Sequence, residues 1–417
     1  MLLSLFTPTH RPIHLTEVYD SLLKQQGQVS FEWVIVPNGG VSYEDIAGNI
    51  RNDTRVRIVP SDLDGIGALK NFACHQCNGD VLVEMDHDDI LAPNAFEELA
   101  KAHMQEPDGF YYSDFVNVKS NGQCETFHTK YGWETYRSEI NGHSYIASRA
   151  FAPTARSLCQ IFFAPNHVRA WSRTAYGYTG GHDPALKIGD DHDLLCRTFI
   201  NGTPFVWIKQ PLYIYRRYNE NSFIKYNKEI QTQQQETCNR YLHQLITADC
   251  RRNHWPAIDI GRAARCNEGY TSHDVVASGS WLFAPYADNS VGCVHAVDAF
   301  QRIPRQHIVT VMNEIYRVLV PGGWLISSTP ALDDGEGRIG RGAFQDPSHC
   351  SYWSENNFTY FCQKRFSVLL PEYRGRFQSM RIWTHYPSDY HKQNVIPYVS
   401  ADLCALKGQR QPGECAI

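Results

Sequence analysis

Apolar positions in the first 120 residues alternate between short continuous runs and runs spaced for a helix. Residues 2–6 form a strand-like run closing on Thr7-Pro8-Thr9, after which Leu15, Val18, Tyr19, Leu22 and Leu23 recur at helical spacing. Residues 31–36 form a second such run, ended by the turn Pro37-Asn38-Gly39-Gly40. Residues 56–59 form a third. Ile66, Leu69, Phe72, Ala73 and Cys77 then predict a helix over about 65–76, with Gly79 as its C-terminal glycine. Residues 81–85 run straight into Asp86-His87-Asp88-Asp89, and Pro93 opens a further helix. Strand–helix units of this length predict an α/β fold, with a parallel sheet covered by helices on both faces.

The pattern then loosens. Residues 120–245 are aromatic-rich, with a polar stretch over 131–144 and the turn Gly180-Gly181-His182-Asp183. A second acidic cluster, Asp190-Asp191-His192-Asp193, opens a helical run over 194–200. A strand at 205–208 precedes Pro211-Leu212-Tyr213-Ile214-Tyr215-Arg216-Arg217, and the glutamine-rich 229–236 reads as a helix or a linker approach. A boundary falls near 245–255, giving units 1–245 and 246–417. The second unit opens on Ala257-Ile258-Asp259-Ile260-Gly261, a strand ending in acid and glycine. A helix with apolar face Ile308, Val311, Met312, Ile315 and Leu319 stops at Pro321-Gly322-Gly323 before a strand at 324–327. This is again α/β, so the chain reads as two sheet domains in tandem, without an internal repeat.

Composition narrows the class. With 417 residues, 42% hydrophobic and 20% charged, the chain is globular and long enough for two or three domains. A mean hydropathy of -0.41 and the absence of any run of about 18 apolar residues argue against membrane-spanning helices. No signal-peptide pattern is recognised, so a cytoplasmic protein is expected. There are 22 basic against 28 acidic residues before residue 246 and 17 against 16 after it, too little basic excess to make nucleic acid the leading partner. Thirteen cysteines without framework spacing read as reduced thiols, and the close pair Cys74 and Cys77 reads as core thiols.

The acidic clusters carry the candidate chemistry. Carboxylates crowded at a strand end repel one another unless a cation neutralises them, and hard oxygen donors suit Mg2+ or Mn2+ with positions left for phosphate oxygens. A solvated loop is the alternative reading of Asp86-His87-Asp88-Asp89. At Asp190-Asp191, one carboxylate suits the start of a helix, and the other suits a general base that takes a proton from an acceptor hydroxyl.

Across residues 1–225, five segments together resemble a family 2 glycosyltransferase of the GT-A fold. They are Thr7-Pro8-Thr9-His10-Arg11, Gly67-Ala68-Leu69-Lys70-Asn71, Gly79-Asp80-Val81, Met85-Asp86-His87-Asp88-Asp89 with Pro93, and Gly180-Gly181-His182-Asp183 before Asp190-Asp191-His192-Asp193-Leu194. The resemblance implies Asp86 and Asp88 as a DXD metal site for Mn2+ or Mg2+, Asp191 as catalytic base and Asp190 as the acid preceding it. It implies Pro8, Thr9, Arg11, Asn38, Lys70, Asn71, Asp86 and Arg216 on the donor side, and Gly181, His182 and Trp171 on the acceptor side. The donor would be a UDP- or GDP-linked sugar and the acceptor a glycan or other hydroxyl, transferred with inversion. Two positions depart from the family pattern: Pro37 and Asn38 stand where an acidic pair is usual, and Tyr218 where a late histidine is.

Residues 255–365 resemble a class I S-adenosylmethionine-dependent methyltransferase, a Rossmann-like fold. The resemblance rests on Ala257-Ile258-Asp259-Ile260-Gly261, Pro285-Tyr286-Ala287-Asp288-Asn289-Ser290-Val291 and Arg317-Val318-Leu319-Val320-Pro321-Gly322-Gly323, extended by Phe344-Gln345-Asp346-Pro347-Ser348-His349. Arg262-Ala263-Ala264-Arg265 replaces the family's glycines, and Gln301-Arg302 replaces an acid–histidine pair. A scaffolding or acceptor-positioning role without bound S-adenosylmethionine is therefore expected. A bifunctional enzyme, or glycosylation of a modified nucleic-acid base, is the alternative.

Overall fold

The computed structural model describes residues 1–417 except 127–131, 162–163, 219–224, 262–268, 276–279, 284 and 415–417. The chain divides into two compact units, Met1–Ala248 and Asp249–Ile417. Among the described residues, no helix is long and apolar enough to cross a membrane.

The first unit is built on strands β1 (Leu2–Thr9), β2 (Ser30–Pro37), β3 (Val56–Ile58), β4 (Val81–Glu84), β5 (Ile90–Leu91), β6 (Phe110–Lys119), β7 (Cys124–Glu125), β8 (Glu134–Ile140), β9 (His143–Arg149), β10 (Arg169–Ser172) and β11 (Phe205–Arg217). Its helices are α1 (Leu15–Leu23), α2 (Gly48–Arg51), α3 (Ile66–Gln76), α4 (Ala95–Gln105), α5 (Ala155–Gln160), α6 (Arg173–Thr179), α7 (Asp190–Ile200) and α8 (Asn227–Arg252). The main path of the sheet runs β3-β2-β1-β4-β10-β6-β11-β5. β1, β2, β3 and β4 pair in parallel, as the repeated strand–helix units predict. The sheet as a whole is mixed, because β10 runs antiparallel between β4 and β6. Leu3, Leu5, Trp33, Ile35, Val81 and Val83 of the sheet pack with Val18, Leu22, Phe96 and Leu99 of α1 and α4 in one core. β1 and β2 are buried on both faces, which is why they read as continuous apolar runs.

Three local expectations change. The polar stretch 131–144 contributes to the hairpin β8–β9, turning at Asn141 and Gly142 with φ of 53° and 75°. Asn-Gly is the pair that a turn with two positive φ values favours. Gly79 is not a C-terminal glycine: α3 ends at Gln76, and a Cβ on Gly79 would sit 2.5 Å from the Leu2 carbonyl oxygen. Its value is close approach to β1. The strand at 205–208 and the run from Pro211 join as one strand, β11, with register shifts around Pro211, which has no N–H to donate.

The second unit has strands β12 (Ala257–Asp259), β13 (Thr271–Ser272), β14 (Val291–Val297), β15 (Leu319–Pro330), β16 (Phe377–His385) and β17 (Tyr398–Ala405), in the order β13-β12-β14-β15-β17-β16. The first four pair in parallel, and β17 and β16 close the edge antiparallel. Helix α9 (Ile308–Val318) buries Ile308, Val311, Met312 and Ile315, as its spacing predicts. It stops at Val318, and Leu319 already begins β15, so Pro321-Gly322-Gly323 lies inside the strand's span.

Candidate functional site

β4 delivers the first acidic cluster. It is buried to Glu84, and the chain leaves the sheet at Met85, whose carbonyl accepts from Thr7 Oγ1 at 2.7 Å. The Asp86 N–H donates to the Tyr213 hydroxyl at 3.2 Å. The Arg216 N–H donates to Asp89 Oδ1 at 2.7 Å, and Arg216 Nε donates to the Asp88 carbonyl. β11 thus clamps the acidic loop through the Arg216 N–H and the side chains of Tyr213 and Arg216. Burial, with the neighbouring carboxylates adding to it, pushes the carboxyls of Asp86 and Asp89 up, and burial does the same to Asp88.

Helix α7 delivers the second cluster. Gly189 precedes it with φ of 70°, and Asp190, Asp191 and Asp193 occupy the first turn, where the helix dipole favours negative charge. Asp190 is buried, 2.8 Å from His182 Nδ1 and 3.9 Å from Lys70 Nζ. Asp191 is more open, and its Oδ2 lies 2.7 Å from Arg169 Nη1. Burial opposes ionisation of Asp191, but the Arg169 and Lys70 charges hold its carboxyl well below the usual range.

A cavity of about 180 Å3 brings these ends together. Asp86 and Asp191 both line it, with Lys70, Glu84, His167, Arg169, Tyr215 and Arg217 among the other walls. Its floor is a chain of alternating charge. Lys70 pairs with Glu84, and Glu84 Oε2 is 3.8 Å from Arg169 Nη1. Glu84 sits in the apolar strand β4, where burial would raise its carboxyl, yet Lys70 and Arg169 hold it at about 2. His167 lies with Nε2 3.6 Å from Asp86 Oδ2, its ring stacked on Tyr213 at 4.7 Å. Burial, then Arg169, lowers the pKa of His167 and favours the neutral ring.

The remaining expected residues fall in four places. Lys70 lines the cavity as part of its charged floor. Thr9 is buried and its Oγ1 accepts from the Arg11 N–H, while the Asn38 N–H donates to the Thr9 carbonyl at 2.9 Å, so Pro8, Thr9, Arg11 and Asn38 cluster at the carboxyl ends of β1 and β2. Asn71 Nδ2 donates to the His182 carbonyl at 2.7 Å, joining α3 to the segment before α7. Arg216 holds the acidic loop and pairs with Glu17 at 2.5 Å.

Two of the residues expected on the acceptor side, Trp171 and His182, are packed inside the first unit. Trp171 is fully buried with its indole N–H on Thr198 Oγ1 at 3.1 Å, and His182 is fully buried against the rings of Phe6, Trp171 and Tyr176. Neither lines the cavity. Gly181, with φ of 72°, is needed because a Cβ there would meet the Tyr176 ring at 2.8 Å. Asp190 likewise serves as the buried counter-charge of His182 and Lys70. Sequence reasoning missed Glu84, His167 and Arg169. Glu84 alone left a signal, a carboxylate inside an apolar strand.

Asp86, which lines the cavity, and Asp88, two residues further along the same loop, are hard carboxylate donors of the type that a divalent cation takes. Among the described residues no group of three or more His, Cys, Asp or Glu side chains is arranged for a metal ion. Two carboxylates completed by phosphate oxygens of a ligand is the arrangement that Mg2+-type ions commonly use.

In the second unit, Asp259 Oδ1 accepts from the Gly261 N–H at 2.8 Å and Oδ2 from His295 Nδ1 at 2.8 Å. The substituted segment that follows Gly261 lies outside the described residues. Gln301 and Arg302 are buried, with Gln301 accepting from Thr329 Oγ1 at 2.7 Å and Arg302 Nε donating to the Asp298 carbonyl at 3.0 Å.

Comparison with known proteins places the two units. Residues 5–162 match the glycosyl transferase family 2 model, and residues 243–327 match a methyltransferase domain model. Chondroitin synthase of Escherichia coli is 25% identical over 175 residues, covering 42% of this chain; the match spans only 22% of that protein's length. Among solved structures, residues 1–349 of S. aureus TarS in complex with UDP-GlcNAc align with a TM-score of 0.42 at 18% identity, over 54% of this chain and 61% of that one. A second structure of TarS 1–349 aligns with a TM-score of 0.41 at 15% identity, over 60% and 72%.

Proposed function

We propose, from the match of residues 5–162 to the glycosyl transferase family 2 model, that this protein transfers a sugar from a UDP- or GDP-linked donor to an acceptor hydroxyl, with inversion and with the help of a divalent cation. One observation carries the reading: Asp86, from the acidic loop after β4, and Asp191, at the start of α7, line the same cavity. Single displacement needs a leaving-group site and a base on opposite sides of one anomeric carbon, and the two carboxylates supply one each.

Asp86 and Asp88 would hold Mn2+ or Mg2+, which when bound supplies Lewis-acid neutralisation of the departing diphosphate. Arg216 keeps the loop bearing both carboxylates fixed to β11. Asp191 takes the acceptor's proton as the acceptor oxygen bonds to the anomeric carbon and the bond to the diphosphate breaks. The second unit takes a scaffolding or acceptor-positioning role rather than methyl transfer in this reading, since Arg262-Ala263-Ala264-Arg265 takes the place of a glycine cradle and Gln301-Arg302 that of an acid–histidine pair.

The test is hydrolysis of UDP-glucose, UDP-N-acetylglucosamine and GDP-mannose with Mn2+ or Mg2+. Asp191→Asn is expected to lower turnover by about 10²- to 10⁴-fold while leaving donor affinity unchanged. Asp88→Ala is expected to abolish the stimulation by metal. A wild-type protein that neither binds nor hydrolyses any of these donors, or an Asp191→Asn variant with full turnover, rules the reading out.

A further inference from the structure

Asp191 faces the cavity already engaged. Its partner Arg169 is 2% exposed, and three elements hold the guanidinium. Nε donates to the Pro165 carbonyl at 3.0 Å, Nη1 lies 2.7 Å from Asp191 Oδ2, and the same nitrogen lies 3.8 Å from Glu84 Oε2 on β4. A planar guanidinium fixed at several points orients a carboxylate in a way that a flexible ammonium does not.

We infer that Arg169 is a positioning residue for the proposed transfer: it aims the Asp191 carboxylate into the cavity and supplies its counter-charge. The inference rests on the general-base reading of Asp191. It also assigns a purpose to Glu84. When Asp191 takes the acceptor's proton it becomes neutral, and Arg169 would be left as a buried cation without compensation. Glu84 stands ready as that compensation on the other side of the same guanidinium, and Lys70 balances Glu84 in turn.

Charged and titratable groups line the cavity beside Asp191, act on its charge or adjoin it on α7. They are Lys70 on α3, Glu84 and Asp86 at the end of β4, His167 and Arg169 at β10, Arg217 on β11, and Asp190 and His192 on α7 itself. Of the cations, Arg169 makes the direct contact. Removing it takes away the largest of the interactions that oppose burial, leaving Lys70 and His192, and burial raises a carboxyl's pKa. A base with a raised pKa stays protonated to higher pH, so the acidic limb of the rate profile must move up.

The experiment follows donor hydrolysis by the full-length protein with saturating Mn2+, using whichever of UDP-glucose, UDP-N-acetylglucosamine and GDP-mannose turns over fastest, from about pH 4 to 9. Arg169→Gln alone strands Glu84 as a buried charge, so it is paired with Arg169→Gln/Glu84→Gln, which removes both charges and is the better candidate to fold. In both, an acidic limb that in wild type lies below the assayed range, because the Asp191 carboxyl is held well below the usual one, is expected to enter that range. Arg169→Lys, which keeps the charge, is expected to keep the wild-type limb at reduced kcat. An acidic limb that coincides with wild type in the glutamine variants, with turnover lowered equally at every pH, overturns the inference and leaves Arg169 as packing. A wild-type protein that hydrolyses none of the three donors removes the transfer reading and takes this inference with it.

Discussion

Glu84 shows what one residue contributes. A carboxylate in a buried strand is unfavourable unless paired, and this one is paired with Lys70 from α3 and flanked by Arg169 from β10. Removing one partner of such a buried pair typically destabilises by about 3–5 kcal/mol. Glu84→Gln is therefore expected to lower the melting temperature at pH 7. The sign of the pH dependence follows from a carboxyl held at about 2, below its unfolded value. Its contribution is fully present above the unfolded value and is lost as pH falls toward about 2, so the gap in melting temperature between wild type and variant should narrow between pH 7 and pH 3. Thermal melts at several pH values read this directly; a gap constant across the range means that Glu84 carries no charge-dependent stability. At this scale the carboxylates were legible, since Asp86, Asp88 and Asp191 stand in recognisable clusters. Their partners were not. Arg169 lies 85 positions from Glu84 in sequence, and no local pattern says that the two meet.

At the scale of elements, apolar patterns located β1, α1, β2, α3, β4 and α9 closely, because the helices bury one face and the strands are buried on both. Strand direction was not legible. A strand buried on both faces has the same apolar pattern whichever way it runs, so β10 could enter antiparallel and make the sheet mixed. Glycines carried positional information of a second kind. A Cβ on Gly67, in the first turn of α3, would come within 2.2 Å of the Asp183 carbonyl oxygen and 2.7 Å of that of Leu186. Both belong to the segment leading into α7, so Gly67 lets α3 pack directly against the entry to the helix that bears Asp191. Gly67→Ala is expected to destabilise by about 1–3 kcal/mol, the range for forced overpacking. Gly177→Ala, inside α6 with open space at its Cβ, serves as the control and is expected to be neutral or stabilising by up to about 1 kcal/mol. Calorimetric melting of both variants checks the contrast, and equal effects would mean that the close approach is not maintained in solution.

For the whole molecule, each unit has its own hydrophobic core, so a fragment of residues 1–253, which keeps α8 whole, is expected to fold and to retain donor hydrolysis. Circular dichroism and the donor assay test this; an unfolded fragment would show that the first unit depends on the second. Titration of the full chain with S-adenosylmethionine in a calorimeter is expected to give no binding heat, and a micromolar dissociation constant would restore methyl transfer as a reading. The acidic excess before residue 246 sits partly in carboxylates that face the cavity. Order and spacing along the chain determined the α/β class and the candidate metal-holding and base carboxylates, because each is a local pattern of apolar period, turn or clustered charge. Tertiary structure alone decided that Asp86 and Asp191 share a cavity, that Trp171 and His182 belong to the core, and that Glu84 and Arg169 form its charged floor. These depend on pairings between distant segments, which burial and electrostatics select in three dimensions and no linear period encodes.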